Sequence, residues 1–97
     1  MNGRLYKMRV KNMTSPNGNF VANQFIIIDN NATYFQSYNS IIAKIEMIEG
    51  TKKIFLDEYY YNYSRTTSKY RNLFLGEVTK DIEKKIKEKE YTLTNLN

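Results

Sequence analysis

Cysteine and histidine are both missing from this chain of 97 residues. Without cysteine there is no disulfide and no thiolate chemistry. Without histidine there is no ordinary general base near neutral pH and no imidazole metal ligand. A zinc site would have to be built from carboxylates alone, against the usual nitrogen and sulfur ligand sets of that ion. Ser–His and Cys–His nucleophile pairs are excluded outright. Proline occurs once and glycine four times, too few for a long disordered linker. No run approaches the roughly 18 apolar residues of a membrane-spanning helix. The opening segment MNGRLYKMRV lacks the apolar stretch of a secretory signal. The expectation is a cytoplasmic protein with no membrane contact, no metal and no other cofactor.

What is present reads as one domain, residues 1–97, with enough apolar side chains for a single modest core. The net charge of +5 is unevenly placed. Residues 1–28 hold Arg4, Lys7, Arg9 and Lys11 and no acid. Residues 64–74 hold Arg65, Lys69 and Arg71 and no acid. The lysine-rich segment after Leu75 is matched by acids and adds nothing to the surplus.

Hydrophobic periodicity predicts a sheet first and helices second. LYKMRVKNM (5–13) alternates, with Tyr6, Met8 and Val10 on one face and Lys7, Arg9 and Lys11 on the other. SPNGN is a turn. NQFIIID (23–29) is a short β-branched run that suits a central strand. DNNAT closes a hairpin in which Asn30 and Asn31 can take left-handed angles. Residues 33–50 fit a helix face through Ile41, Ile42, Ile45 and Ile48, or a strand face through Ile41, Ala43, Ile45 and Met47. Strand is preferred. Gly50-Thr51 suits a type II′ turn into KKIFLDEYY (52–60). Ser64 can cap a helix that ends at Gly76, with Thr66, Tyr70, Leu73 and Phe74 inward. Thr79 can cap a second helix with Ile82 and Ile86 inward, and YTLTNLN returns as a short extended tail. The fold expected is α+β: an antiparallel sheet of about four strands followed by two short helices on one face.

Three surfaces are candidates for contact with a partner. The cations Lys7, Arg9 and Lys11, with Arg4 nearby, would stand about 7 Å apart along one strand face, a spacing suited to nucleic-acid phosphates. The same charges also suit an edge strand guarded against pairing. On the first helix, Arg65, Lys69 and Asn72 share one side, with Arg71 close by, which is a grip on a carboxylate or phosphate or an ordinary solvated face. The tyrosines 59, 60, 61 and 63 divide between core and surface if the strand runs on, with Tyr60 on the exposed side. Exposed tyrosines beside cations are common at protein interfaces and at base-stacking surfaces. Asp57 and Glu58 read as solvated charges. Tyr63 or Ser64 with Lys69 are the only pairs a small enzyme could draw on, and no catalysis is expected.

The blocks KNMTSPNGN, VANQFII, YFQSYNSIIAKI and YSRTTSKYRNLFLGE together resemble a group of small uncharacterised proteins of phages and prophages of low-GC bacteria. The resemblance covers nearly the whole chain. It implies a small accessory protein of a mobile element. Such proteins are often stoichiometric inhibitors of host defence, CRISPR systems included, or small nucleic-acid binders. The expected partner is therefore a host protein or ribonucleoprotein complex, met through Tyr60, Arg65, Lys69, Arg71 and Asn72. The alternative is DNA or RNA, met through Arg4, Lys7, Arg9 and Lys11. An uncovered edge strand also offers a route to a homodimer.

Overall fold

The computed structural model describes residues 8–97. Among them are six strands and two helices: β1 (Arg9–Thr14), β2 (Phe20–Ile28), β3 (Ala32–Ser37), β4 (Ser40–Ile48), β5 (Thr51–Asp57), α1 (Arg65–Leu75), α2 (Thr79–Lys87) and β6 (Thr92–Thr94). Strands β1 to β5 form an antiparallel meander in chain order, and β6 adds to β5 in parallel. The α+β class therefore holds, with a larger and mixed sheet in place of four antiparallel strands.

The extra strands have local causes. Residues 33–50 are strand, as preferred, but the turn at Tyr38-Asn39 divides them into β3 and β4. Tyr38 takes φ 56° there, in a region a bulky side chain rarely occupies. The tail after α2 does more than extend: it turns at Lys89 (φ 64°) and pairs with β5. The β4–β5 turn is centred on Glu49-Gly50, one residue earlier than Gly50-Thr51. Both residues have positive φ, 51° and 79°, the signature of type I′ and not II′. Asn30 and Asn31 close the β2–β3 hairpin without left-handed angles.

One face of the sheet carries the core. Phe35, Ala43 and Leu56 lie in one cross-strand row and are fully buried. Burying a side chain such as Leu56 or Phe35 contributes about 1.5–3 kcal/mol each. Helix α1 lies over this row. Its Phe74 ring is 5.9 Å from Phe35, and the Thr67 hydroxyl is 3.0 Å from that of Ser37. Helix α2 adds Ile82, also fully buried. Thr67, not Thr66, faces inward, and Leu73 is half exposed. The stripe of α1 is thus rotated by about one position from the predicted one.

The ends of α1 are where the sequence placed them. Ser64 Oγ accepts from the Thr67 N–H at 3.1 Å, and Gly76 (φ 70°) donates its N–H to Asn72 O at 2.8 Å. Thr79 does not cap α2. It lies inside the helix after Val78, and its hydroxyl accepts from Arg71 and Asn72 instead. Behind α2, the Glu77 carboxylate pairs with Lys85 at 2.8 Å and accepts from the Tyr91 hydroxyl. Burial and then this carboxylate push the Tyr91 phenol up to about 12.

Candidate functional site

Strand β5 ends at Asp57, and this residue builds the corner that follows. Its Oδ2 accepts the N–H groups of Tyr59 (3.1 Å) and Tyr60 (2.8 Å). Its Oδ1 accepts the N–H of Leu96 (2.8 Å) and the Asn97 amide (3.0 Å). The carboxylate is buried, at 2 % exposure, so it is not the solvated charge expected. Burial pushes its pKa up, but the donors Leu96, Tyr60, Asn97 and Tyr59 outweigh that and hold it below 3.8. Asn97 also exchanges two hydrogen bonds with the backbone of Ile41, so one side chain ties the tail to β4 and β5.

Held in this way, residues 58–63 form turns and not a continued strand. Strand alternation therefore does not sort the tyrosines. Tyr59 and Tyr63 are 71 % and 65 % exposed, while Tyr60 is half-buried between them. The exposure assigned to Tyr60 belongs to its neighbours. Tyr60 meets Tyr59 edge to face at 4.7 Å and Tyr63 at 5.5 Å. Tyr61 is half-buried against the core.

Arg65 and Lys69 are exposed on α1, beside this aromatic cluster in the chain. Arg71 is not on the surface at all. It is fully buried and donates to Tyr61 O at 2.7 Å, to Asn72 Oδ1 at 2.9 and 3.2 Å, and to Thr79 Oγ1 at 3.2 Å. Burial lowers its pKa, while Glu83 and Tyr61 oppose that. Helical position alone could not show this, because residues 58–63 fold back over the guanidinium. Asn72 is half-buried, and both ends of its amide are occupied by Arg71 and Thr79. Of the five residues expected to meet a partner, Arg65 and Lys69 are exposed, with the Lys69 ammonium 5.4 Å from the Tyr70 ring centre, and Tyr60 is half-buried.

Tyr60 and Tyr63 also line a cleft of about 470 Å³ at the start of α1, with Ser37, Tyr38, Ser40 and Thr67. Ser64 lines it as well, but Lys69 does not, so neither Ser64 nor Tyr63 meets the lysine there. Next to Ser37 in the sheet register stands Gln24, fully buried, with no hydrogen-bond partner at either amide atom. A buried amide without partners costs stability. Gln24→Met, similar in size, is expected to raise stability by about 1 kcal/mol or more, read as a higher melting temperature. A lower one would mean the amide is engaged.

The basic strand is divided from this corner. Arg9 and Lys11 are exposed on β1, an edge of the sheet with a bulge between Asn12 and Thr14. Lys11 lines a separate cleft with Met13, Phe20, Ile26 and Leu73, and neither Arg65 nor Lys69 enters it. Arg4 and Lys7 lie outside the described residues. Sequence reasoning missed Asp57, although an Asp at a strand end before a turn is a known turn former. It missed Gln24 because polarity alone does not announce burial.

Fold and surface together define an α+β domain with helices on one sheet face and an aromatic, cationic corner where sheet passes into helix. The chain belongs to DUF8033, a family of unknown function whose model matches residues 8–92. Neither the curated proteins nor the solved structures contain a match to the chain. No helix among the described residues is long and apolar enough to cross a membrane.

Proposed function

We propose that this protein works by binding and not by catalysis, and that it docks a protein or protein–nucleic-acid complex through the corner formed by Tyr59, Tyr60, Tyr63, Arg65 and Lys69. The observation that carries this is the edge-to-face tyrosine trio, two of its rings exposed, next to two exposed cations. Asp57 fixes the turn that presents the rings, so little conformational freedom is lost when they are covered. Tyrosine and arginine are the residues that most often dominate interface energetics. The lack of histidine and cysteine in the sequence supports a non-catalytic role. The resemblance to proteins of phages and prophages of low-GC bacteria favours one form of such binding: stoichiometric inhibition of a host defence complex.

The test is affinity capture from a low-GC bacterial lysate, with and without nuclease, followed by titration of the captured complex with pure protein. Capture that survives nuclease and saturates at one protein per complex is the expected result. Arg65→Glu with Lys69→Glu is expected to weaken it by about tenfold or more while the melting curve stays unchanged. Full capture by this double variant would mean that the partner uses another surface.

A further inference from the structure

The sheet has a second face, and no described element lies over it. The helices pack on the face of Phe35, Ser37 and Leu56. On the opposite face the register aligns Val10, Ile27, Tyr34, Lys44, Phe55 and Thr92 in one row that crosses all six strands. A second row runs Asn12, Phe25, Gln36 and Ile41. These are not the residues of a purely solvated face. Three are aromatic rings, and Ile27, Tyr34 and Phe55 are only half-buried.

We infer that this open face is a stacking platform for unpaired bases of single-stranded nucleic acid. The rings supply the first requirement. Tyr34 and Phe55 lie two strands apart, about 9–10 Å, and Phe25 is diagonal to Tyr34 at about 7–8 Å. Sheets that bind single strands present two or three aromatic side chains in this manner, each stacking one base. Charge supplies the second. Lys44 stands between the two rings, with Nζ 6.0 Å from the Tyr34 centroid and 5.0 Å from that of Phe55. Its counter-ion is Glu46 at 3.0 Å. Lys53 is directly opposite Glu46, and the other acid on this side of β5, Asp57, has its carboxylate taken up by four donors. A phosphate arriving between the rings meets the Lys44 ammonium there, in competition with Glu46. The chain as a whole is basic, with a net charge of +5.

A second copy of the chain suits the face less well. Two such faces stacked together would bury Lys44 and Lys53 of both copies, at the cost of desolvating four ammonium groups. A duplex suits it less as well, because paired bases do not offer their faces to the rings. Thr92 flanks the rings on the same surface, as do Asn12 and Gln36, whose amide nitrogens donate to Val21 O and Tyr38 O and leave their oxygens as acceptors.

This inference concerns the opposite side of the molecule from the tyrosine corner, and each can fail alone. The experiment is fluorescence anisotropy with labelled oligothymidylate of about 20 nucleotides, and a duplex of the same length, at about 50 mM salt. The single strand is expected to bind and the duplex to bind more weakly. Tyr34→Leu with Phe55→Leu keeps the face apolar and removes the stacking. It is expected to weaken single-strand binding by about 10- to 100-fold at an unchanged melting temperature. Lys44→Gln is expected to flatten the log–log salt dependence by about 0.7. Arg65→Glu with Lys69→Glu should leave the single-strand affinity within about threefold. The inference is overturned by absence of binding at low salt, or by full binding in the double leucine variant. It is also overturned by a native dimer in sedimentation that this variant turns into a monomer, since a second copy would then cover the face.

Discussion

Arg71→Ala is expected to lower stability by about 3–5 kcal/mol, on the order of a third of what a domain of this size possesses. The guanidinium is fully buried and reaches three acceptors on three segments: Tyr61 O, Asn72 Oδ1 and Thr79 Oγ1. It thereby joins the tyrosine turn to α1 and α1 to α2. Alanine removes the donor to Tyr61 O and Asn72 Oδ1, leaves Thr79 Oγ1 with Asn72 alone, and opens a void beneath Tyr61, whose ring lies 5.9 Å from the guanidinium carbon. Lysine keeps the charge but not the planar fork, so Arg71→Lys should recover only a minor part of the loss. Methionine removes the cation and its desolvation cost together, and is expected to fall between alanine and the native residue. Urea titrations of the three variants check this order, with the slope unchanged and the midpoint shifted. A lysine variant as stable as the native chain would show that charge alone, not the fork, holds the three segments.

Arg71 also marks where the sequence stops being legible. Its helix was readable from Ser64 and Gly76, because capping chemistry is local and the two residues do what their types favour. Strands β1 and β5 were readable from alternation and β2 from its β-branched run, and the strand preference over residues 40–49 matches β4. The buried state of Arg71 was not, because it depends on where residues 58–63 fold back. That path is set by Asp57, which also holds Leu96 and Asn97 from the far end of the chain. Long-range contacts of this kind leave no periodic signal. The same cause put Tyr60 on the wrong side. Period two was carried past Asp57, where the ladder had already ended. The split at Tyr38 was hidden for a different reason, since tyrosine at positive φ is a choice that local preference opposes. Arg65 and Lys69 were legible because exposed cations on a helix need no partner to be placed.

Asp57→Asn is expected to cost about 3 kcal/mol near neutral pH, and this cost should shrink as the solution is made acid. Both carboxylate oxygens are acceptors, two donors each. An amide has one acceptor oxygen, so its nitrogen must face two donors, either those of Tyr59 and Tyr60 or those of Leu96 and Asn97. The sign of the pH effect follows from the depressed carboxyl. Burial raises its pKa, but the four donors bring it below its ordinary 3.8. The unfolded chain therefore takes up this proton first as pH falls. The stabilisation is complete above about pH 4 and is lost as pH drops from there through the lower folded value. Glu77, held down against its burial by Lys85 and Tyr91, adds acid sensitivity of the same sign, and it is present in both proteins. The difference between native and Asp57→Asn chains thus isolates Asp57. Urea midpoints should differ widely at about pH 7 and approach each other at about pH 3. A gap that stayed constant across this range would mean that shape, not the ionised carboxylate, is what the tyrosine turn and the tail require.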